Sequence, residues 1–356
     1  MTHPSWSMIG TLNAALPVQR GLGNATSTSA HRLHLFSLDL SERSFERAGG
    51  LGITVPTLPI EVTASIDHEH RIDTIAPEFS EDLAPVIEKV RSRVGVNCAL
   101  DVTVCGRILR HKGLGSTTQI RALTALSAWA ALTGGSAPTF ADLMSIDMLD
   151  AGSCVGLTLI AAPGMTIDFG FFTAPQRVDD GWVPHLRQPQ LYRKPQGLAL
   201  HLLDPPPWHV VVALPTDFGL NGSAEVEFYG KNLPVSELIA EEISYWTLLD
   251  LLPACVTGDL DRARLALDRI SSLPVKADEI AIQGTDTHTT MKVMERLLGF
   301  AGLSSVGPAV YSLTDRHMSG EKRAELLSAL PPGTEVLEFA LRDIPRRGRN
   351  EGVLIP

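Results

Sequence analysis

The sequence predicts an α+β fold, and three observations carry that reading. The chain has 356 residues, 44% apolar and 20% charged, which is enough for sizeable cores in roughly two domains. Strand-like alternation and helical periodicity both recur along it. They do not alternate strictly, which favours α+β over a doubly wound parallel sheet.

Residues 1–29 are weakly patterned and end in a run of Gly, Ser, Thr and Ala, so a flexible lead-in is expected there. The first convincing strand is Ala30–Asp39, with Leu33 and Leu35 alternating with His34 and Phe36. A glycine-rich turn is expected at Ala48–Gly52, followed by strands at Gly52–Val55 and Pro59–Ile66. Glu78–Arg93 places Leu83, Val86, Ile87 and Val90 on one face, as an amphipathic helix would. Ala99–Cys105 alternates as a strand. A long apolar helix then runs from the turn at residues 111–119 to about Leu132, where Gly134-Gly135 signals its end.

Further along, a helix is expected over Phe140–Asp147, and a hairpin of Leu157–Ala161 with Met165–Phe169 around Pro163-Gly164. Residues 173–208 turn rich in Pro, Gln and Arg, placing a boundary near residue 190: domains at 30–190 and 191–356. The second domain should hold a strand at His209–Leu214 and helices near 234–252, 259–272 and 287–300. Strand Val310–Leu313, helix Gly320–Leu330 and strand Glu335–Leu341 should follow. A mobile tail is expected from Ile344.

Lys plus Arg total 30 against 40 Asp plus Glu, a net charge of −10. That argues against a general nucleic-acid binder, which needs a basic stripe, but not against an anion held in a local pocket. No apolar run approaches the ~18–20 residues of a membrane span. The first residues lack the features of a secretory signal. Cys98, Cys105, Cys154 and Cys255 form no CxxC pair, so reduced thiols in a cytoplasmic protein are expected rather than a zinc site.

The strongest local signal is His111-Lys112-Gly113-Leu114-Gly115-Ser116-Thr117-Thr118-Gln119, between a strand and a helix. Glycines let the backbone approach a ligand, and the helix start aims unpaired N–H groups at one point, a geometry that binds phosphate. Arg110 and Lys112 add charge. It is not a Walker A loop, because no Gly-Lys-Ser/Thr closes it; an ordinary capped turn is the plainer reading. A second segment holds Arg32 and His34 on one strand face, then Asp39, Arg47, Gly49 and Gly50. A third, Gly302-Leu303-Ser304-Ser305-Val306-Gly307-Pro308, leads into a strand and is small enough to pack on the first loop across a cleft. Asp168, and Glu225 or Glu227, are the carboxylates considered for Mg²⁺. His68, His70 and His288 read as surface or ambiguous residues.

Taken in order, these segments resemble the GHMP-kinase superfamily. Within it, the His111…Gln119 loop is similar to that of β-ribofuranosylaminobenzene 5′-phosphate synthases. The likeness extends over Arg32-Leu33-His34 with Asp39, Gly49–Gly52, Asn221-Gly222 with a following Glu, Leu252-Pro253-Ala254, and Ser304-Ser305-x-Gly307-Pro308 with Tyr311. Two departures stand out. The family's Arg-Ser-Gly-Ile-Gly appears as Ala151–Gly156 without the arginine, and Leu303 and Val306 replace the late turn's usual Gln and Trp. These lean towards the related C-nucleoside synthases of formycin- and pyrazofurin-type antibiotic biosynthesis.

The resemblance implies a ribosomal-S5-like N-terminal domain, a ferredoxin-like C-terminal domain and a site between them. It implies 5-phosphoribosyl 1-diphosphate (PRPP) as co-substrate, Mg²⁺, a homodimer, and no membrane or nucleic-acid partner. The reaction would join ribose C1 to an aromatic carboxylate, an aminopyrazole dicarboxylate being the first expectation, with loss of CO₂ and pyrophosphate. Arg32, His34, Asp39 and Arg47 are the candidate catalytic residues. Residues 111–119 with Gly49 and Gly50 would hold phosphate, Ser304, Ser305 and Gly307 would line the second loop, and Asp168 and Glu225 would bind metal. The rivals are a synthase using 4-aminobenzoate or 4-hydroxybenzoate, an ATP-dependent small-molecule kinase, and a catalytically dead phosphate-ligand sensor.

Overall fold

The computed structural model describes residues 6–9, 19–21, 23–41, 46–67, 73–139, 142–143, 146, 155–172, 199–220 and 222–345. Two sheets organise them. The larger has nine strands, with the path β1-β9-β7-β4-β3-β2 and with β5, β6 and β8 joined at its side. Its spine is the antiparallel pair β3 (Asn24–Asp39) and β4 (Glu46–Asp67). Around it lie β1 (Trp6–Ile9), β2 (Gln19–Gly21), β5 (Thr74–Ile75), β6 (Ala99–Gly106), β7 (Met165–Asp168), β8 (Phe171–Phe172) and β9 (Ala199–Leu202).

Two helices cover one face of this sheet. Helix α1 (Pro77–Val94) buries Leu83, Val86, Ile87 and Val90, the stripe its periodicity dictates, and ends at the left-handed Gly95. Helix α2 (Ser116–Leu132) is apolar on nearly every side, with Ile120, Leu123 and Leu126 buried between α1 and the sheet. Its alanines let it lie close to β3 and β4, and Ser127 Oγ donates to Val62 O at 2.8 Å.

The second sheet is antiparallel, in the order β11-β12-β10-β13: Gly302–Leu303, Val310–Thr314, His209–Leu214 and Glu335–Ala340. With its helices it forms the split βαββαβ arrangement of a ferredoxin-like domain. Sheet membership changes between Leu202, still in the larger sheet, and His209. The boundary expected near residue 190 falls outside the described residues. The helices after β10 are α4 (Gly222–Asn232), α5 (Glu237–Tyr245), α6 (Leu252–Thr257), α7 (Leu260–Ser271), α8 (Lys276–Ala281), α9 (Thr285–Leu298) and α10 (Gly320–Ala329). A π-helical turn, Trp246–Leu251, links α5 to α6. One apolar cluster joins the halves, packing Leu33, Leu51 and Ile53 of the large sheet with Val210, Tyr311 and Leu267.

Several sequence expectations change. The stretch expected as a lead-in contains β1, β2 and the start of β3. Its Ser and Thr residues are strand residues, and Thr26 Oγ1 bonds Thr63 Oγ1 across to β4 at 2.9 Å. Ala48–Gly52 is not a turn but part of β4, with Gly50 opposite Ser37 and Gly52 opposite His34. Leu157–Ala161, expected as the first arm of a hairpin, belongs instead to α3 (Val155–Ala161), whose seven residues are all buried. Gly52 makes room for it, since a Cβ there would collide with Val155. Helices α4 and α8 were not foreseen. Of the helix expected at Phe140–Asp147, only 142, 143 and 146 are described; His68, His70, Cys154 and the tail beyond residue 345 also lie outside.

Candidate active site at the junction of three loops

Three loops meet where the sheets adjoin. The first, residues 107–115, carries the chain from β6 to α2. His31, buried in β3, holds its base: Nδ1 bonds Leu58 O at 3.1 Å and Nε2 accepts the Leu109 N–H at 3.2 Å. Ser116 Oγ donates to Leu109 O at 2.8 Å. The second loop is the 304–309 turn, and the third the 215–220 segment after β10.

Glycines let the three interlock. A Cβ on Gly307 would collide with Gly113, and a Cβ on Gly219 would collide with Gly307. Ser304 Oγ donates to Gly113 O at 2.7 Å and accepts the His34 N–H at 3.0 Å. The Ser305 N–H reaches His34 O, that of Gly219 reaches His111 O, and that of Ala309 reaches Lys112 O. The expected packing of the second loop on the first is therefore present, with Ser304, Gly307 and Ala309 as its contacts, while Ser305 reaches His34 on β3 instead. Three non-glycine residues among those described have positive φ: His111 at 58°, Ser305 at 56° and Val275 at 72°. His111 and Ser305 lie in these loops, and Val275 immediately precedes Lys276, whose Nζ contacts Ser305 O at 3.2 Å. Backbone strain thus concentrates where the loops meet, a frequent property of functional sites.

The opening of α2 forms a cradle. Gly115, at φ 64°, precedes it, and no side chain caps its first turn. The N–H groups at such a start have no intrahelical partner. Arg32 comes from β3 to the same place: a Cβ on Gly115 would lie 2.8 Å from Arg32 Nε, and one on Gly156 at 3.2 Å. Arg32 is 9% exposed, yet its Nε and Nη1 have no hydrogen-bond partner. Burial lowers the guanidinium to about 10, with Glu225 and Tyr229 pulling the other way. It remains a cation at neutral pH, inside the protein and beside a helix start. Gln119 closes the back by donating from Nε2 to Gly156 O at 3.1 Å. Leu114 is buried in the core, and Thr117 and Thr118 are half-buried on the first turn.

Opposite the cradle stands a polar cluster in which Glu225 and His34 were named from the sequence and Lys276, Glu279 and Tyr229 were not. Lys276 and Glu279 are buried and paired, Nζ to Oε2 at 2.8 Å. Tyr229 Oη donates to Glu279 Oε1 at 2.8 Å. Burial first, and then Glu279, push the Glu225 carboxyl up to about 7. Tyr229 is held well above its ordinary range, chiefly by burial. His34, also in this field, is held well below the usual imidazole range by burial and then by Arg32 and Lys276, so it is neutral.

Other expected residues sit differently. Lys112 bonds three carbonyls, Pro215 O at 2.8 Å, Thr216 O at 2.9 Å and Asp217 O at 2.5 Å, and lies over the Phe218 ring. It ties the first loop to the third rather than facing the cradle. Arg110 pairs with Asp82 at 2.7 Å, towards α1. Asp39 accepts from Ser41 N and Oγ at the far end of β3, seven residues and roughly 20 Å of strand from Arg32. Gly49 and Gly50 do not join the cradle. A Cβ on Gly49 would lie 2.6 Å from Asp168 O, and one on Gly50 2.7 Å from His34 Nε2. Arg47 lies in β4 opposite Phe171, its side chain outside the described residues. Asp168 is fully buried in β7 between Gly50 and Ala199, and it joins Glu225 in no group of three metal-ligating side chains among the described residues. Cys98, Cys105 and Cys255 are free thiols. No described helix is long and apolar enough to cross a membrane.

Solved structures share this architecture. Streptococcus pneumoniae phosphomevalonate kinase superposes with a TM-score of 0.62 at 15% identity, covering 88% of this chain and 98% of that one. Staphylococcus aureus mevalonate diphosphate decarboxylase gives 0.60 at 11% identity, covering 92% and 97%. The chain has the GHMP-kinase fold. At these identities the likeness speaks for the fold alone. No protein-family model matches the sequence. Among curated proteins it is 29% identical over 326 residues to the β-ribofuranosylphenol 5′-phosphate synthase of Archaeoglobus fulgidus, covering 91% of this chain and 97% of that one. It is 26% identical over 334 residues to the enzyme of the same name from Methanothermobacter thermautotrophicus, covering 91% and 96%. With relatives that are synthases along most of its length, the chain is an enzyme.

Proposed function

We propose that this GHMP-fold enzyme is a PRPP-dependent C-ribosyltransferase that makes a ribofuranosyl-arene 5′-phosphate with loss of CO₂ and pyrophosphate. One observation carries the proposal: two nitrogens of the buried Arg32 guanidinium lack partners beside the uncapped start of α2. A buried cation and free N–H groups converging on one point call for an anion of high charge. A phosphate group of PRPP supplies it.

In this reading Arg32 and the first-turn N–H groups of α2 bind phosphate oxygens, and their donors stabilise charge as the C1–O bond to pyrophosphate breaks. The ring carbon bearing the acceptor's carboxylate then bonds to C1. The C–CO₂ bond breaks, its electron pair returns to the ring, and aromaticity is restored without a strong base. Lys276 is the second cation of the cleft and the residue suited to orient the acceptor carboxylate. Neutral His34 separates the two cations. Mg²⁺ would supply charge neutralisation on pyrophosphate. Glu225, a carboxylate facing the cradle, fits the sparse protein ligation this ion takes when phosphates bind it too. Asp168, enclosed by strand pairing, does not.

The relatives' names favour a phenolic acceptor, such as 4-hydroxybenzoate, over a pyrazole. Leu303 and Val306, whose replacement of Gln and Trp suggested a pyrazole, are both buried. The test is a product assay with PRPP and Mg²⁺ plus, in parallel, 4-hydroxybenzoate, 4-aminobenzoate and an aminopyrazole dicarboxylate. Equal release of pyrophosphate and CO₂ with one acceptor supports the reading and identifies that acceptor. PRPP bound without release points to a sensor. ADP formed from ATP, with no pyrophosphate from PRPP, points to a kinase.

A further inference from the structure

The ferredoxin-like sheet carries a second cluster, separate from the cleft. His209 opens β10, Glu338 lies in β13, and His317 follows β12. The register pairs His209 with Ala340 and Val211 with Glu338, so His209 and Glu338 are diagonal neighbours on one face. The turn after Thr314, opposite His209, returns His317 to the same spot. The loops of the cleft lie at the other end of β10, six residues or roughly 20 Å along the strand.

The geometry is that of a ligand set. His317 Nδ1 is 2.7 Å and His209 Nδ1 is 3.8 Å from Glu338 Oε1. The two imidazoles stack with centroids 5.7 Å apart. One ligating atom from each residue lies within 4.8 Å of the other two. Ligands about 2.0–2.1 Å from a tetrahedral zinc stand about 3.3 Å from one another, within the span of these separations. His209 Nδ1 is buried without a hydrogen-bond partner, and so is Glu338 Oε2, on a residue whose side chain is only 3% exposed. Buried polar atoms without partners are uncommon in a finished fold. The carboxylate is itself held in place: the Met318 N–H donates to Oε1 at 2.8 Å, and Arg323 Nη1 stands 3.7 Å from Oε2. Outer partners of this kind fix the ligands of metal sites.

We propose that His209, His317 and Glu338 bind one first-row divalent transition metal, with zinc as its natural probe and a fourth position open beside the exposed His317. Two imidazoles select against Mg²⁺ and Ca²⁺, which take oxygen ligands. The Arg323 cation opposes the ion, and it faces the oxygen turned away from the histidines.

The experiment titrates the chelator-treated full chain with Zn²⁺ by calorimetry and with Co²⁺ by visible absorption. One equivalent should bind, with cobalt bands of the low-symmetry, nitrogen-containing type. His317→Ala should weaken binding at least tenfold. His317 is 70% exposed, so that variant should keep its fold, as circular dichroism will check. Glu338→Gln, which retains shape and the Met318 contact, should weaken binding as well. No zinc uptake by the wild type, or equal uptake by wild type and His317→Ala, would overturn the proposal and leave a simple His317–Glu338 hydrogen bond.

Discussion

Ser304 Oγ donates to the carbonyl oxygen of Gly113 at 2.7 Å, across 191 residues of sequence. Ser304 Oγ in turn accepts the His34 N–H. One hydroxyl thus joins the phosphate-type loop, the strand bearing Arg32 and the turn before β12. The site is assembled by backbone and small side chains, and its charged groups are presented on that frame.

Removing this staple should cost stability and turnover together. Ser304→Ala leaves a buried carbonyl and a buried N–H without partners, so a loss of about 1–3 kcal/mol is expected in urea unfolding. Gly307→Ala should be worse, because its Cβ would strike Gly113 backbone that has nowhere to move. A Gly307→Ala enzyme as stable and active as wild type would show that the loops need not touch.

The loop's base should be sensitive to acid. His31 uses both ring nitrogens as a neutral imidazole: Nδ1 donates to Leu58 O, and Nε2 accepts from Leu109. Burial lowers its pKa below the ordinary 6.5. His34 shifts in the same direction. Below about pH 6.5 the unfolded chain therefore takes up protons that the folded chain refuses, and stability falls with pH until the folded pKa is reached. Melting temperatures between pH 8 and 5 should be level above neutrality and decline below it. His31→Asn should be less stable at pH 8 but show a shallower decline, whereas parallel curves would remove His31 as a source.

The buried Lys276–Glu279 pair makes a different prediction. Lys276→Met strands a carboxylate beside Tyr229 and should cost about 3–5 kcal/mol. Adding Glu279→Gln removes that charge, so the double variant should regain part of the loss. Simple additivity in a double-mutant cycle would mean the two groups are not coupled.

Much of this was legible in the sequence because it follows from local pattern. The α1 stripe, the alternation of Leu33 and Leu35 against Arg32 and His34, and the Gly113–Ser116 helix start all reappear. What stayed hidden depended on tertiary partners. Gly50 and Gly52 look like a turn, yet they are strand residues whose missing Cβ admits the His34 ring and α3. Lys112 looks like a phosphate ligand until the 215–217 carbonyls are seen around it. Tyr229 stands in a weakly patterned stretch that proves to be α4, one turn after Glu225, which the sequence does single out. Lys276 and Glu279 share a short helix, and their burial comes from elements remote in sequence.

In the proposed reaction, Arg32 and the start of α2 grip a phosphate of PRPP. Gly115→Ala should already weaken that grip, since its Cβ would press on Arg32 Nε and its φ of 64° disfavours a side chain. The most direct measurement is calorimetric titration of PRPP and Mg²⁺ into wild type and Arg32→Ala. Affinity should be at least about tenfold weaker in the variant, as loss of charge-assisted hydrogen bonds requires. Equal affinity in the two proteins would contradict it.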